Sequence, residues 1–179
     1  MYCCRVRWLL LLSGVLAGAV STVGSAQAPA SAEPRVHANM LQLMRGVLYP
    51  ASNVIFTAQS DDPLSFKPAL RPSTSPDPFT GAYGGWEAVE NAGLALSESA
   101  NLLIIARQCG NGRPAPVTNA DWLLWVQELR DAGMAAYKAG QAKDADQILE
   151  AAGAVSEACL HCHQKYRQVP GGFPNRCQS

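Results

Sequence analysis

Apolar residues recur at three- and four-residue steps in four separate stretches of the chain, and that period commits it to helices. In the first stretch Met40, Met44, Val47 and Leu48 share a face, flanked by Leu41 and Leu43. The second aligns Trp86, Val89, Gly93, Leu96, Ala100 and Leu103, and the third aligns Trp122, Val126, Leu129 and Ala136. The fourth carries Ile148, Val155, Cys159, Cys162 and Tyr166 on one side. Strand signals are weak throughout, and there is no internal repeat.

Local signals set the expected bounds. The first helix runs from about Arg35 and is kinked or divided at Pro50, which lacks an N–H and clashes with the preceding turn. Helical character resumes from Asn53 to Gln59. The second helix spans about 86–108 and is stopped by Cys109-Gly110-Asn111-Gly112. Thr118 is the expected N-cap of the third, with Asp121 three residues on, and Gly140 its expected stop. The fourth covers about 142–166, before Pro170-Gly171-Gly172. Residues 61–85 hold Pro63, Pro68, Pro72, Pro76 and Pro78 among Ser, Asp and Gly, so no regular element fits there. A loop of that length is functional or tied down along the surface. The expected fold is all-α: an antiparallel up-down-up-down four-helix bundle with a long Pro-rich loop between helices 1 and 2.

The N-terminus carries the three parts of a secretory signal peptide: Arg5 and Arg7, the apolar run from Trp8 to Val20, and the A-x-A site in Gly24-Ser25-Ala26-Gln27-Ala28. The run falls short of the roughly 20 residues that span a bilayer. The expected plan is therefore a cleaved signal at 1–28, a disordered leader at 29–34 and one domain over 35–179, placed in the periplasm. Cys3 and Cys4 leave with the signal. The chain has 14 basic and 14 acidic residues, and loss of Arg5 and Arg7 leaves a slight acidic excess. That balance argues against a nucleic-acid partner, which calls for a basic patch. Four cysteines remain, Cys109, Cys159, Cys162 and Cys177, and in an exported protein each is expected to be bonded to something.

The chemistry concentrates in Cys159-Leu160-His161-Cys162-His163. Two thiols and an imidazole at i, i+3 and i+4 lie on one side of a helix. Such a turn can serve a zinc ion, a reversible disulfide or a covalently bound haem. Zinc needs four ligands, usually as two pairs, and only Cys109, Cys177 or His37 is left to supply the fourth. A redox C-x-x-C opens a helix after a strand, whereas this one closes a helix in an all-helical chain. Haem meets each constraint: thioether bonds from Cys159 and Cys162, His163 as the proximal iron ligand, and attachment outside the cytoplasm.

With that motif near its C-terminus, the chain resembles the class II c-type cytochromes, the cytochrome c′ group and its six-coordinate, low-spin relatives. Two stretches carry the resemblance, Cys159 to Arg167 and Met40-Leu41-Gln42-Leu43-Met44-Arg45, and the helical layout extends it over most of the mature chain except the 61–85 loop. The resemblance implies one covalent haem c with iron, one-electron transfer, and no enzymatic role. It implies periplasmic redox proteins as partners, membrane contact only through them, and a homodimer, since many relatives pair through their first two helices. In the six-coordinate members a first-helix methionine followed by a basic residue ligates iron. This matches Met44-Arg45, leaving Met40 and His37 as minor candidates. The alternative is a five-coordinate protein that binds nitric oxide or carbon monoxide beside Met44. A zinc or structural bundle without haem is the third reading, and it predicts a colourless protein.

The bundle expectation places the haem near Met44, 102–106 and 122–126, with Met134 toward the far end. The resemblance implies that Arg167 lies near the proximal side or a haem propionate, with a solvated helix-end cation as the plain alternative. Trp122 and Trp125 are expected beside the porphyrin or in the core, and His161 in solvent. The 61–85 loop could cover the haem edge or a partner surface. Both Cys109 and Cys177 would lie on the haem-bearing side, and a disulfide between them is expected to tie down the C-terminal tail.

Overall fold

The computed structural model describes residues 35–178, so the expected signal peptide and leader lie outside the described residues. Those residues are mostly helical, with no β-strand among them; the one extended pairing is an isolated bridge between Gln108 and Pro114. Four helices dominate. Helix α1 covers 40–58 in three parts, α-helical Met40–Leu43, π-helical Met44–Leu48 and α-helical Tyr49–Ala58. The others are α2 (Trp86–Leu103), α3 (Ala120–Ala142) and α4 (Ala145–Tyr166). Helix α1 packs on α2 and α4, α2 on α3, and α3 on α4. No described helix is long and apolar enough to cross a membrane.

The anticipated apolar stripes form the core. Val89, Leu96, Ala100, Ala136, Ile148 and Val155 are fully buried, and Trp86, Leu103, Trp122, Val126 and Leu129 nearly so. Stripes at helical spacing bury together only when their helices lie alongside one another, and burial of that apolar surface is the main force holding the fold.

Several boundaries differ from the sequence expectation, each for a local reason. Helix α1 begins at Met40, because Asn39 and Gln42 close a reciprocal capping box, each side chain bonding the other's backbone N–H at 2.9 Å. Residues 35–37, His37 included, precede it. Pro50 does not divide the helix. The preceding turn widens instead, and the Tyr49 N–H reaches back five residues to the Met44 carbonyl. Pro50 then falls in the first turn of the following segment, where a missing N–H costs little.

Helix α2 stops at Leu103, not Gln108, because other donors claim its last carbonyls. The Arg107 guanidinium bonds the Leu102 carbonyl at 2.8 Å and the Trp122 indole bonds that of Leu103 at 3.0 Å. Backbone bonds Cys109 N to Arg113 O and Ala115 N to Arg107 O then fold 107–115 into a tight return. Cys109 thus lies beyond the helix.

Asn119, not Thr118, is the N-cap residue of α3, which runs through Gly140 and ends where Lys143 takes a left-handed conformation at φ 54°. Gly140 serves close approach, since a Cβ there would stand 3.0 Å from the Glu90 backbone nitrogen. The same device operates at Gly93, whose Cβ would stand 2.5 Å from Tyr137 N, and at Gly133, where it would stand 2.7 Å from Ser97 N. Asp144 caps α4 by accepting from the Gln147 N–H at 3.0 Å.

Residues 59–85 hold only turns and two 3-10 helices, Pro63–Ser65 and Pro72–Thr74. They are fastened down by the stacked rings of Phe66 and Phe79, 4.6 Å apart, and by the Ala69 N–H on the Thr80 carbonyl. The tail after α4 is tied as well. Cys177 is disulfide-bonded to Cys109, with Cα atoms 6.5 Å apart and a separation of 68 in sequence. Closing a loop of that length stabilises the fold by about 4 kcal/mol in the chain-entropy account.

Candidate functional site

An apolar cavity of about 900 Å³ opens among α1, the end of α2, the start of α3, the end of α4 and the C-terminal tail. Met44, Trp122, Cys159, Cys162, His163 and Arg167 all line it. Met40 and Trp125 line it too, while His37, Met134, His161 and the whole of 61–85 do not. The loop therefore does not cover this site. The walls are completed by Leu41, Leu48, Phe56, Leu103, Val126 and Leu129, a volume and apolar character that suit a large planar organic ligand.

The last turns of α4 position the thiols and the imidazole. Val155, buried one turn before Cys159, and Tyr166, buried one turn after Cys162, fix the helix face that meets the cavity. Cys159 and Cys162 are half-buried and unpaired. Burial pushes the Cys159 thiol up; it pushes that of Cys162 up to about 12, with the neighbouring Cys159 and Asp121 adding to the effect. Both therefore stay as neutral thiols. Desolvation, then the nearby Arg167 and Arg176 cations, holds the His163 imidazolium below its usual range. His163 is consequently neutral near pH 7, the form that donates a lone pair to a metal. His161, on the opposite side of the turn, is exposed and bonds Glu128 at 2.8 Å.

Aromatic groups stiffen the same end. Trp122 meets Tyr166 edge-on with centroids 5.1 Å apart, and Trp125 meets it at 6.0 Å. The Tyr166 hydroxyl donates to Asp121 at 2.7 Å and accepts from Asn119 at 3.2 Å. Lys165 pairs with the same Asp121, and these two donors, Lys165 first, hold its carboxyl below the usual range. This cluster locks the end of α4 to the start of α3.

A four-ligand zinc site finds little here. Cys109 and Cys177 are bonded to each other, His37 is elsewhere, and no group of three His, Cys, Asp or Glu side chains among the described residues is set to hold an ion. Sequence reasoning missed Arg176 and Phe173, which reach the cavity from the tail. The signal was adjacent, because a disulfide at Cys177 must carry its neighbours to this end. It also passed over Tyr49, which lines the wall that Met44 occupies, and took Arg45 only as Met44's neighbour in the motif, whereas Arg45 lines that wall as well.

Comparison of the chain with family models, with curated proteins and with solved structures gives no match.

Proposed function

We propose that this protein is an exported, periplasmic c-type cytochrome of the class II kind, a one-electron carrier whose four helices form an antiparallel up-down-up-down bundle. The observation that carries the reading is the convergence of both unpaired thiols, the neutral imidazole of His163 and the thioether of Met44 on one apolar cavity. The bundle reading draws on register. Gly93 faces Tyr137 while Gly140 faces Glu90, and Glu128 meets His161 while Asp121 meets Lys165, so partners descend along one helix as they ascend along the other.

Each residue has a defined task. Cys159 and Cys162 would hold the haem through thioether bonds, and His163, the next residue, would offer its imidazole nitrogen to the iron. Met44 would offer its sulfur from α1. Trp122, Trp125, Leu103 and Val126, which line the cavity, would shield the bound group from water, and that favours the less charged iron state. When bound, haem supplies reversible one-electron chemistry, and His/Met ligation raises its reduction potential. The partners are other periplasmic redox proteins and a second copy of this chain.

A second reading rests on the same wall. Leu41, Leu48 and Phe56 stand with Met44 along the cavity, and such an apolar surround also suits a five-coordinate iron that binds nitric oxide or carbon monoxide. The deciding experiment expresses the full chain with c-type haem maturation in the periplasm. Haem that stays with the polypeptide on a denaturing gel, and a visible spectrum unchanged by carbon monoxide, are the expected results. A colourless protein would end the proposal.

A further inference from the structure

Beyond α4 the chain continues as a short tail over 167–178, and hydrogen bonds and a disulfide fix it. The Asn111 amide donates to the carbonyls of Phe173, Pro174 and Arg176 at 3.0–3.2 Å, and Arg113 Nε donates to that of Pro174 at 3.2 Å. The Cys177 N–H bonds the Tyr166 carbonyl at 2.8 Å, and Cys177 is held at φ 58°, in the left-handed region. A residue other than glycine rests there only when its surroundings over-determine it. The disulfide to Cys109 completes the fastening.

What this fastening delivers is a charge. Arg176 lines the cavity with its guanidinium 5.2 Å from the Phe173 ring centre and its Nε on the Arg167 carbonyl at 3.2 Å. Arg45 and Arg167 line the same cavity, whereas no described Asp or Glu does. None of the three arginines takes part in either ion pair found among the described residues. Three arginines without a carboxylate, around a mostly apolar hollow, call for an occupant with an apolar body and anionic arms.

We propose that the tail is a strap whose disulfide holds Arg176 in this cavity, where Arg176 acts as a positioning cation for the carboxylate arms of the bound group. The inference rests on the haem reading above, haem being a flat apolar ring with two carboxylates. Arg167, the first residue after α4, would follow from the end of the helix alone, whereas Arg176 reaches the site only because the tail turns back. A cation held there also disfavours the more positive, oxidised state of the iron.

The test uses the matured holoprotein in five forms: wild type, R176Q, R176K, the double variant C109S/C177S, and the triple combination of R176Q with that double variant. The readout is the oxidised-to-reduced ratio in a spectroscopic redox titration. R176Q is expected to raise that ratio at fixed ambient potential about three- to tenfold, and tenfold is 59 mV for one electron. R176K, which keeps the charge, recovers most of the difference. C109S/C177S shifts the ratio as R176Q does, and the triple form goes no further, because the disulfide acts through Arg176. An unchanged ratio in R176Q, or additive shifts in the triple form, overturns the strap. Should the disulfide variant fail to fold, the R176Q and R176K pair still decides the role of the charge. Loss of haem staining in the wild type removes the underlying reading and the strap with it. A silent R176Q in protein that stains removes the strap alone.

Discussion

The indole Nε1 of Trp122 donates to the carbonyl of Leu103 across 3.0 Å, joining the first turn of α3 to the last residue of α2. Trp122 is only 2% exposed, so neither group has water to fall back on. Phenylalanine at 122 keeps an aromatic ring toward the cavity and deletes the donor. W122F is therefore expected to lose about 1–3 kcal/mol of stability, the range for stranding a buried polar partner. Urea unfolding followed by circular dichroism measures this, and haem staining should persist. An unchanged midpoint would mean that the Leu103 carbonyl finds another donor.

Met44 and Met40 both line the cavity, yet they stand differently in it. Met40 is 6% exposed and belongs to the core, whereas Met44 is only partly buried and opens the π-helical turn. Such turns concentrate at functional sites because they re-aim the side chains around them. Met44→Ala is expected to convert a low-spin spectrum to a high-spin one and to let carbon monoxide bind. Met40→Ala should leave the spectrum alone and cost about 2–5 kcal/mol, as buried Met→Ala changes do. A low-spin spectrum that survives Met44→Ala would remove Met44 as a ligand.

Stripe positions were legible from the sequence, whereas helix ends were not. Leu96, Ile148 and Val155 could be placed in the core because period alone decides which side of a helix faces inward. The ends depend on partners remote in sequence. No local signal shows that Trp122 would claim the Leu103 carbonyl 19 residues away, or that Gly140 exists for Glu90 rather than as a stop. The candidate site divides in the same way. Cys159, Cys162 and His163 stand out as a motif, whereas helix spacing alone leaves Met40 and Met44 level and only the resemblance singles out Met44. Arg176 acquires meaning only once the tail is known to turn back against α4.

Helices α2 and α3 meet through glycine on both sides. A Cβ on Gly93 would stand 2.5 Å from Tyr137 N and 2.8 Å from Gly133 O, and backbone atoms cannot rotate out of the way as a side chain does. Alanine has the better helix propensity by about 1 kcal/mol, so on an isolated helix G93A would be favourable. In this packing the clash decides the sign. G93A is expected to destabilise by about 1–3 kcal/mol net, the usual cost of overpacking. Gly153, also helical, has nothing within 4 Å of the equivalent position, and G153A should stabilise. Thermal melts of the two variants moving in opposite directions would support the close approach; a matching rise in both would refute it.

Asp144 gives the fold a defined acid sensitivity. Its carboxylate accepts from the Gln147 backbone N–H at 3.0 Å and from the Gln147 side chain at 2.7 Å, and those bonds hold its pKa below the usual carboxylate range. A group depressed in this way contributes stability that is fully present above its unfolded pKa of about 4. The contribution is lost as pH falls through the lower, folded value. D144A should therefore be less stable than wild type by a constant margin at neutral pH, with a gap that narrows once the solution is acidified below about pH 4. D144N keeps a capping oxygen that does not titrate. Its stability relative to wild type should rise over that same acid range. Urea midpoints measured for the three proteins between neutral and acid pH test this, and a D144A deficit that stays constant into strong acid would show that the charge of Asp144 plays no part in the cap.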